Sequence, residues 1–92
     1  MPYTTLIATA QLAEHLESGW IIADCRYDLP RDAWGEEQYV AAHIPGASYV
    51  SLSRHLSAAP TGANGRHPLP SQDVMAETFG RLGIATDTQV VV

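Results

Sequence analysis

The chain has 92 residues, a length suited to one domain or part of one, because domains most often contain roughly 100–150 residues. Hydrophobic residues make up 46% of it and charged residues 16%, which is typical of ordered globular proteins and argues against disorder. The net charge is −5, lysine is absent and the five arginines are scattered, so nucleic acid and anionic membrane surfaces are excluded as expected partners.

No signal for export or membrane insertion is visible in the sequence. The N-terminus lacks a basic region followed by a sustained apolar stretch, and no apolar run approaches the roughly 18 residues of a membrane-spanning helix. The single cysteine excludes an internal disulfide framework and suits a reducing compartment. We therefore expect a cytoplasmic protein.

The first quarter of the chain predicts a strand, a helix and a second strand. Leu6 and Ile7 form a short apolar start, and a helix follows from an N-cap at Thr9 to about Glu17. Residues 20–23 are continuously apolar, which favours a strand buried on both faces of a parallel sheet. Asp24-Cys25-Arg26 is then the carboxyl end of this strand.

A tight turn is predicted between the next helix and strand. Residues 27–35 are rich in turn-forming types and predict a loop, and residues 36–42 predict a short helix. Pro45 fixes φ and lacks an N–H, while Gly46 can adopt the positive φ of a type II turn. The helix therefore ends before Pro45, and residues 47–50 form a strand.

The second half of the chain predicts a long loop, a helix and a last strand. Residues 51–56 suit one helical turn, and residues 57–70 contain repeated proline and glycine that predict a surface loop or flap. An N-cap at Ser71 begins an amphipathic helix that Gly83 ends, and residues 89–92 form a strand.

This alternation of strands and helices predicts an α/β fold with a mostly parallel sheet and helices on both faces. Ligands of such sheets bind outside the carboxyl ends of the strands. The loop after the last predicted strand falls beyond Val92, so part of the expected site lies outside the sequence.

Four features, in this order, resemble the amino-terminal domain of the tandem-domain rhodaneses, which are thiosulfate and 3-mercaptopyruvate sulfurtransferases. The resemblance covers nearly the whole chain. The features are the strand end Asp24-Cys25-Arg26, the helix with Tyr39, the turn His43-Ile44-Pro45-Gly46-Ala47, and His67-Pro68-Leu69-Pro70 before the helix that ends in Leu82-Gly83-Ile84.

The resemblance implies a rhodanese-like α/β fold that is truncated on its carboxyl-terminal side. It implies a parent enzyme that moves sulfane sulfur from thiosulfate or 3-mercaptopyruvate to a thiophilic acceptor through a cysteine persulfide. In the family, the nucleophile follows the strand that corresponds to residues 89–92, and in tandem enzymes only the carboxyl-terminal domain carries it. Residues 1–92 are therefore expected to be a partial, non-catalytic amino-terminal domain that holds no catalytic residue, cofactor or metal.

Cys25 is the residue that a search for a nucleophile would find first. We expect it to be structural, with a raised thiol pKa, because it lies in a predicted buried strand and follows an acid. Asp24 and Arg26 are expected to form a paired brace for the long loops, and a substrate-anion contact by Arg26 is the less favoured role.

The turn after the second helix is expected to be structural. His43 suits a helix C-terminal cap better than a general base, because a histidine in the last turn favours the helix dipole. Pro45, Gly46 and Ala47 belong to the same structural motif. None of the histidines lies at metal-ligand spacing from a cysteine or a paired carboxylate; the four are His15, His43, His55 and His67.

Two loop residues are weaker candidates for binding. Arg66 follows a glycine-rich loop tip and could contact the partner domain or its anionic substrate. Trp34 is a comparable interface candidate, because a loop tryptophan either packs locally or binds.

The sequence is compatible with more than one partner and more than one function. An exposed sheet edge predicts association with a missing carboxyl-terminal portion or with a second copy of the chain. A stand-alone rhodanese-like binding or regulatory module without catalysis is the main alternative. A single-domain phosphatase of the related cysteine-dependent class is a third possibility.

Overall fold

The structure, a computed structural model, describes residues 3–92. Its strands form one parallel sheet in the order β2-β1-β3. The predicted parallel α/β fold is therefore confirmed. The elements in chain order are α1 (Thr9–Ala13), β1 (Ile21–Asp24), α2 (Trp34–Ala41), β2 (Ser48–Tyr49), α3 (Gln72–Arg81) and β3 (Val90–Val91).

The register of the sheet brings the carboxyl ends of the strands to one edge. Asp24 at the end of the central strand β1 pairs with Tyr49 of β2. On the other side, Ile22 of β1 pairs with Val91 of β3. The residues that follow each strand therefore meet at this edge, which is where ligands bind parallel α/β sheets.

A small apolar cluster holds the first two helices against the sheet. Leu12 of α1, Ile22 of β1 and Ala47 are each buried, and Tyr39 of α2 packs against them. Side chains alternate between the faces of a strand, so Ile21 points to the opposite face from Ile22. The chain after α3 approaches that second face, since a β-carbon at Gly83 would lie 3.4 Å from Ile21 Cδ1.

The turn between α2 and β2 has the predicted type II geometry. Gly46 has φ of 82°, and the backbone N–H of Ala47 donates to the carbonyl oxygen of Ile44 at 3.0 Å. Pro45 occupies the second position of this four-residue turn, where its fixed φ is favourable. The residue types Pro45 and Gly46 were sufficient to predict this turn.

The N-terminal part of the chain differs from the prediction. Leu6 and Ile7 do not form a strand, and α1 begins after an N-cap at Ala8, whose N–H donates to the side-chain oxygen of Gln11. The helix ends at Ala13 and not at Glu17, because residues 14–19 form turns. Leu12 is the only buried residue of α1, so little apolar burial supports a longer helix.

The side chain of Gln89 fastens the N-terminal segment to the start of β3. The backbone N–H of Tyr3 donates to Gln89 Oε1 at 3.0 Å, and Gln89 Nε2 donates to the Tyr3 carbonyl oxygen at 3.2 Å. The Tyr3 ring lies edge-on to both His15 and Trp20, which stack on each other. Side-chain bonds and ring contacts thus replace the predicted strand pairing.

Helix α3 begins where predicted, because Ser71 Oγ accepts from the N–H of Val74 at 3.2 Å. None of its residues is buried, and Val74 and Phe79 on its apolar side are partly exposed, at 49% and 37%. Its 10 residues make it the longest helix of residues 3–92, and no helix in that range is long and apolar enough to cross a membrane.

Candidate functional site

Asp24 and Arg26 form an ion pair at the carboxyl end of β1. Arg26 Nη2 lies 2.8 Å from Asp24 Oδ2 and also donates to the carbonyl oxygen of Ala42 at 2.8 Å. The hydrogen bonds from Arg26 hold the pKa of Asp24 below its ordinary value, and the same contact raises the pKa of Arg26. The pair joins β1 to the end of α2, so Arg26 is engaged within the chain.

His43 and Tyr39 hold the turn that follows α2. The Tyr39 hydroxyl donates to the carbonyl oxygen of Ala47 at 2.5 Å, which spans the turn. His43 stacks on the Tyr39 ring at 3.7 Å between centroids, and its Nδ1 lies 2.6 Å from the Tyr39 carbonyl oxygen. Because a carbonyl oxygen only accepts, Nδ1 carries the proton in this bond. His43 therefore contacts a carbonyl of the last turn of α2.

Gly35 allows α2 to begin directly against the loop after β1. It is buried, and a β-carbon added to it would lie 1.8 Å from the Arg26 carbonyl oxygen and 2.4 Å from the Tyr49 hydroxyl. That hydroxyl donates to the same carbonyl at 3.1 Å. Sequence reasoning placed Gly35 in a loop, and the helix instead starts at Trp34.

An open cleft of about 760 Å³ lies at the carboxyl edge, between β3, β1 and the turn after α2. It brings together five of the residues singled out in the sequence, and it does not include Trp34 or Arg66. Those five are Asp24, Cys25, Arg26, His43 and Ala47. Apolar side chains dominate the rest of the lining, among them Ile44 and Val91.

Cys25 lies on the rim of this cleft, and its predicted burial is wrong. It is exposed, because β1 ends at Asp24 and Cys25 is the first residue after the strand. Partial desolvation and the nearby Asp24 carboxylate nevertheless raise the pKa of its thiol. The thiol is accessible but poorly ionised, so exposure alone does not make it reactive.

A second polar cluster, which we call the Asp32 cluster, ties together the loops after β1 and β2. Asp32 Oδ1 accepts from the Tyr27 hydroxyl at 2.7 Å and from Ser53 Oγ at 2.5 Å. These bonds lower the pKa of Asp32, and the bond to the carboxylate raises the pKa of Tyr27. The Tyr27 ring also lies edge-on to His67 at 6.1 Å. Sequence reasoning missed this cluster, since its members are scattered through loops.

The remaining candidates lie outside the cleft. Trp34 is the first residue of α2 and is half-buried, whereas Arg66 is exposed in the loop of residues 57–70. Within residues 3–92, no group of three or more His, Cys, Asp or Glu side chains is placed to hold a metal ion. The site is therefore an apolar cleft beside an internally satisfied ion pair.

Comparison with known proteins shows relatives along nearly the whole chain. A Pseudomonas aeruginosa protein named "Probable 3-mercaptopyruvate sulfurtransferase" is 39% identical over 99% of the chain, which spans 33% of that relative. The Mycobacterium tuberculosis protein "Putative thiosulfate sulfurtransferase SseB" is 40% identical over 95% of the chain and 31% of the relative. The "Thiosulfate sulfurtransferase" of Cricetulus griseus is 32% identical over 98% of the chain and 31% of its own length.

The chain thus spans about a third of the length of the curated relatives that it matches. No protein-family model and no solved structure gave a significant match. The relatives share the sulfurtransferase name, and the similarity extends across the strand end, the turn and the last helix whose motifs resemble that family. Together with the parallel α/β sheet, this similarity supports a rhodanese-like sulfurtransferase domain.

Proposed function

We propose that the chain is the amino-terminal, non-catalytic part of a sulfurtransferase that moves sulfane sulfur from thiosulfate or 3-mercaptopyruvate to a thiophilic acceptor. The sulfur would be carried as a persulfide on a cysteine of the parent outside residues 1–92. The observation that carries this proposal is the environment of Cys25. Cys25 is the only cysteine of the chain, and partial desolvation and the nearby Asp24 carboxylate raise the pKa of its thiol.

Persulfide chemistry needs a thiolate and a place for negative charge. With thiosulfate, the thiolate attacks the outer sulfur, the sulfur–sulfur bond breaks and sulfite leaves with the electron pair. Catalytic thiols are ionised by helix N-termini or neighbouring cations. Cys25 instead lies next to the Asp24 carboxylate, and the guanidinium of Arg26 is bound to that carboxylate. Among the described residues, the surroundings of Cys25 therefore disfavour the thiolate that a sulfur-accepting cysteine requires.

The structural contribution of the chain would be a fixed wall of the cleft. The Asp24–Arg26 ion pair and the Tyr39–Ala47 bond hold the turn after α2 in one position. The cleft beside them is lined largely by apolar side chains, and such a surface favours contact with another part of a protein. We propose that the remainder of the parent packs here, and that a second copy takes its place when the chain is alone.

Turnover by the purified 92-residue chain tests the proposal. The chain should form no thiocyanate from cyanide with either donor, and the Cys25→Ser variant should give the same background. The "Thiosulfate sulfurtransferase" of Bos taurus, a relative 31% identical to the chain, serves as the positive control. Thiocyanate formation by the chain that disappears in Cys25→Ser would overturn the proposal.

Light scattering tests the packing surface separately. Association of the chain is expected, and Ile44→Asp on the cleft wall should weaken it, because Ile44 is exposed there. Leu29→Asp is the matched control, since Leu29 is also exposed but does not line the cleft. A monomer that unfolds cooperatively would contradict the proposed packing and leave the assignment of catalysis unaffected.

A further inference from the structure

Arg66 is the one arginine without an acidic partner among residues 3–92. The other four each form an ion pair: Arg26 with Asp24, Arg31 with Glu37, Arg54 with Glu36, and Arg81 with Glu77. The chain has twice as many acids as arginines, so pairing is the expected state of its guanidiniums. Arg66 keeps its full set of N–H donors available for a ligand.

The loop that carries Arg66 is ordered by its own hydrogen bonds. The Asn64 side chain accepts from the N–H of Thr61 at 2.7 Å and donates to the carbonyl oxygen of Ala59 at 3.2 Å. The N–H of Ala58 donates to the carbonyl oxygen of Pro68 at 2.8 Å and closes the base of the loop. A loop that is already ordered loses less conformational entropy when a ligand binds to it.

The residue next to Arg66 contacts the loop that follows the carboxyl end of β1. The adjacent His67 is half-buried and packs edge-on against Tyr27, which follows β1 by three residues. Tyr27 in turn belongs to the Asp32 cluster, which joins the loops after β1 and β2. Arg66 is thus carried by a loop that packs against the residues following the edge where parallel α/β sheets bind ligands.

We propose that Arg66 is an anion-contact residue that binds the negatively charged end of the sulfur donor. This inference rests on the proposed function, since thiosulfate is an oxyanion and 3-mercaptopyruvate carries a carboxylate. A guanidinium presents paired N–H groups that match both geometries. Among residues 3–92, four of the five arginines are held by acidic partners and Arg66 is not, which makes Arg66 the arginine most available for this contact.

Protection from an arginine-selective reagent tests the contact. Phenylglyoxal is added to the folded chain, and modification at each arginine is followed by mass spectrometry. Arg66 should react several-fold faster than Arg81, the matched control, which is 77% exposed but paired with Glu77. Thiosulfate should slow the modification of Arg66 several-fold relative to chloride at the same ionic strength, and should leave Arg81 unchanged.

A second measurement uses the amide resonances of Gly65 and His67. Thiosulfate should shift them in the wild-type chain and in Arg81→Gln, and the shifts should disappear in Arg66→Gln. Equal protection of Arg66 and Arg81, or shifts that persist in Arg66→Gln, would overturn the inference. Neither measurement depends on turnover, so thiocyanate formation by the chain would refute the proposed function without changing these results.

Discussion

Gly35 lies so close to Arg26 that a β-carbon on the glycine would meet the arginine carbonyl oxygen at 1.8 Å. Because that oxygen belongs to the backbone, a side-chain rotation cannot relieve the overlap. The first turn of α2 and the chain after β1 are thus fixed against each other by the absence of a side chain. The side chain of the same Arg26 forms the ion pair with Asp24.

Gly35→Ala should be strongly destabilising. The overlap requires a backbone shift, and we expect a loss of about 3 kcal/mol in the free energy of unfolding, at the upper end of overpacking effects. Gly80→Ala is the matched control, since that glycine is also helical and has no atom within 4 Å of the added carbon. It should be stabilising by about 1 kcal/mol through helix propensity. Urea unfolding of both variants measures the difference, and equal midpoints would contradict the close approach.

Tyr39→Phe should loosen the turn after α2. The substitution removes the hydroxyl that donates to the Ala47 carbonyl oxygen and leaves that oxygen without this bond. We expect a loss of about 1 kcal/mol. Tyr3→Phe is the control, because the described hydrogen bonds of Tyr3 are made by its backbone atoms. Faster amide hydrogen exchange across residues 43–47 in Tyr39→Phe alone would support the assignment, and identical exchange in both variants would contradict it.

The ion pair between Asp24 and Arg26 should make stability depend on acid pH. The pKa of Asp24 is lowered in the fold from its ordinary 3.8, chiefly by the hydrogen bond from Arg26. A carboxyl with a lower pKa in the folded state stabilises the fold above its unfolded pKa, and this stability is lost as the pH falls through the folded pKa.

Arg26→Gln should therefore be less stable than the wild type near neutral pH, and the gap should narrow from about pH 5 downwards. Denaturation midpoints across that range provide the measurement. Arg31→Gln, which removes an exposed partner of Glu37, should show a smaller and flatter difference. A gap between Arg26→Gln and the wild type that does not change with pH would refute the role of Asp24.

Cys25 should react slowly with iodoacetamide although it is exposed. Desolvation and, to a smaller extent, the Asp24 carboxylate raise the pKa of the thiol above its ordinary 9.0. The labelling rate of the folded chain near pH 8 should be lower than that of the chain in urea, and it should rise steeply above pH 9. Asp24→Asn should label faster than the wild type. Equal rates in the folded and unfolded chain would show that the thiol is not perturbed.

Local residue chemistry predicted the parts of this fold that are governed by single positions. Pro45 and Gly46 require a particular turn, and Ser71 caps a helix wherever its hydroxyl can reach the first free N–H groups. The apolar run at 20–23 likewise identified the central strand. These effects act between residues that are close in sequence, so they can be predicted without knowledge of tertiary contacts.

The failures concern positions whose state depends on distant parts of the chain. Leu6 and Ile7 have strand-like residue types, but they form no strand, and the N-terminal segment is joined to the residue before β3 by hydrogen bonds between Tyr3 and the Gln89 side chain. Gly35 was predicted to lie in a loop, because the sequence does not reveal that the Arg26 carbonyl oxygen leaves no room for a side chain at this position. Cys25 was assigned to a strand whose last residue is Asp24, and that one-residue error changed a buried thiol into an exposed one.

The bond from Gln89 to the backbone of Tyr3 joins residues 86 positions apart. A contact of such long range closes almost the whole chain into one loop. Its entropic cost is not offset until the intervening strands are in register. It should therefore form last during folding and open first under mild denaturant. A probe at Tyr3 would accordingly distinguish molecules that have completed folding from those that have only assembled β1 and β2.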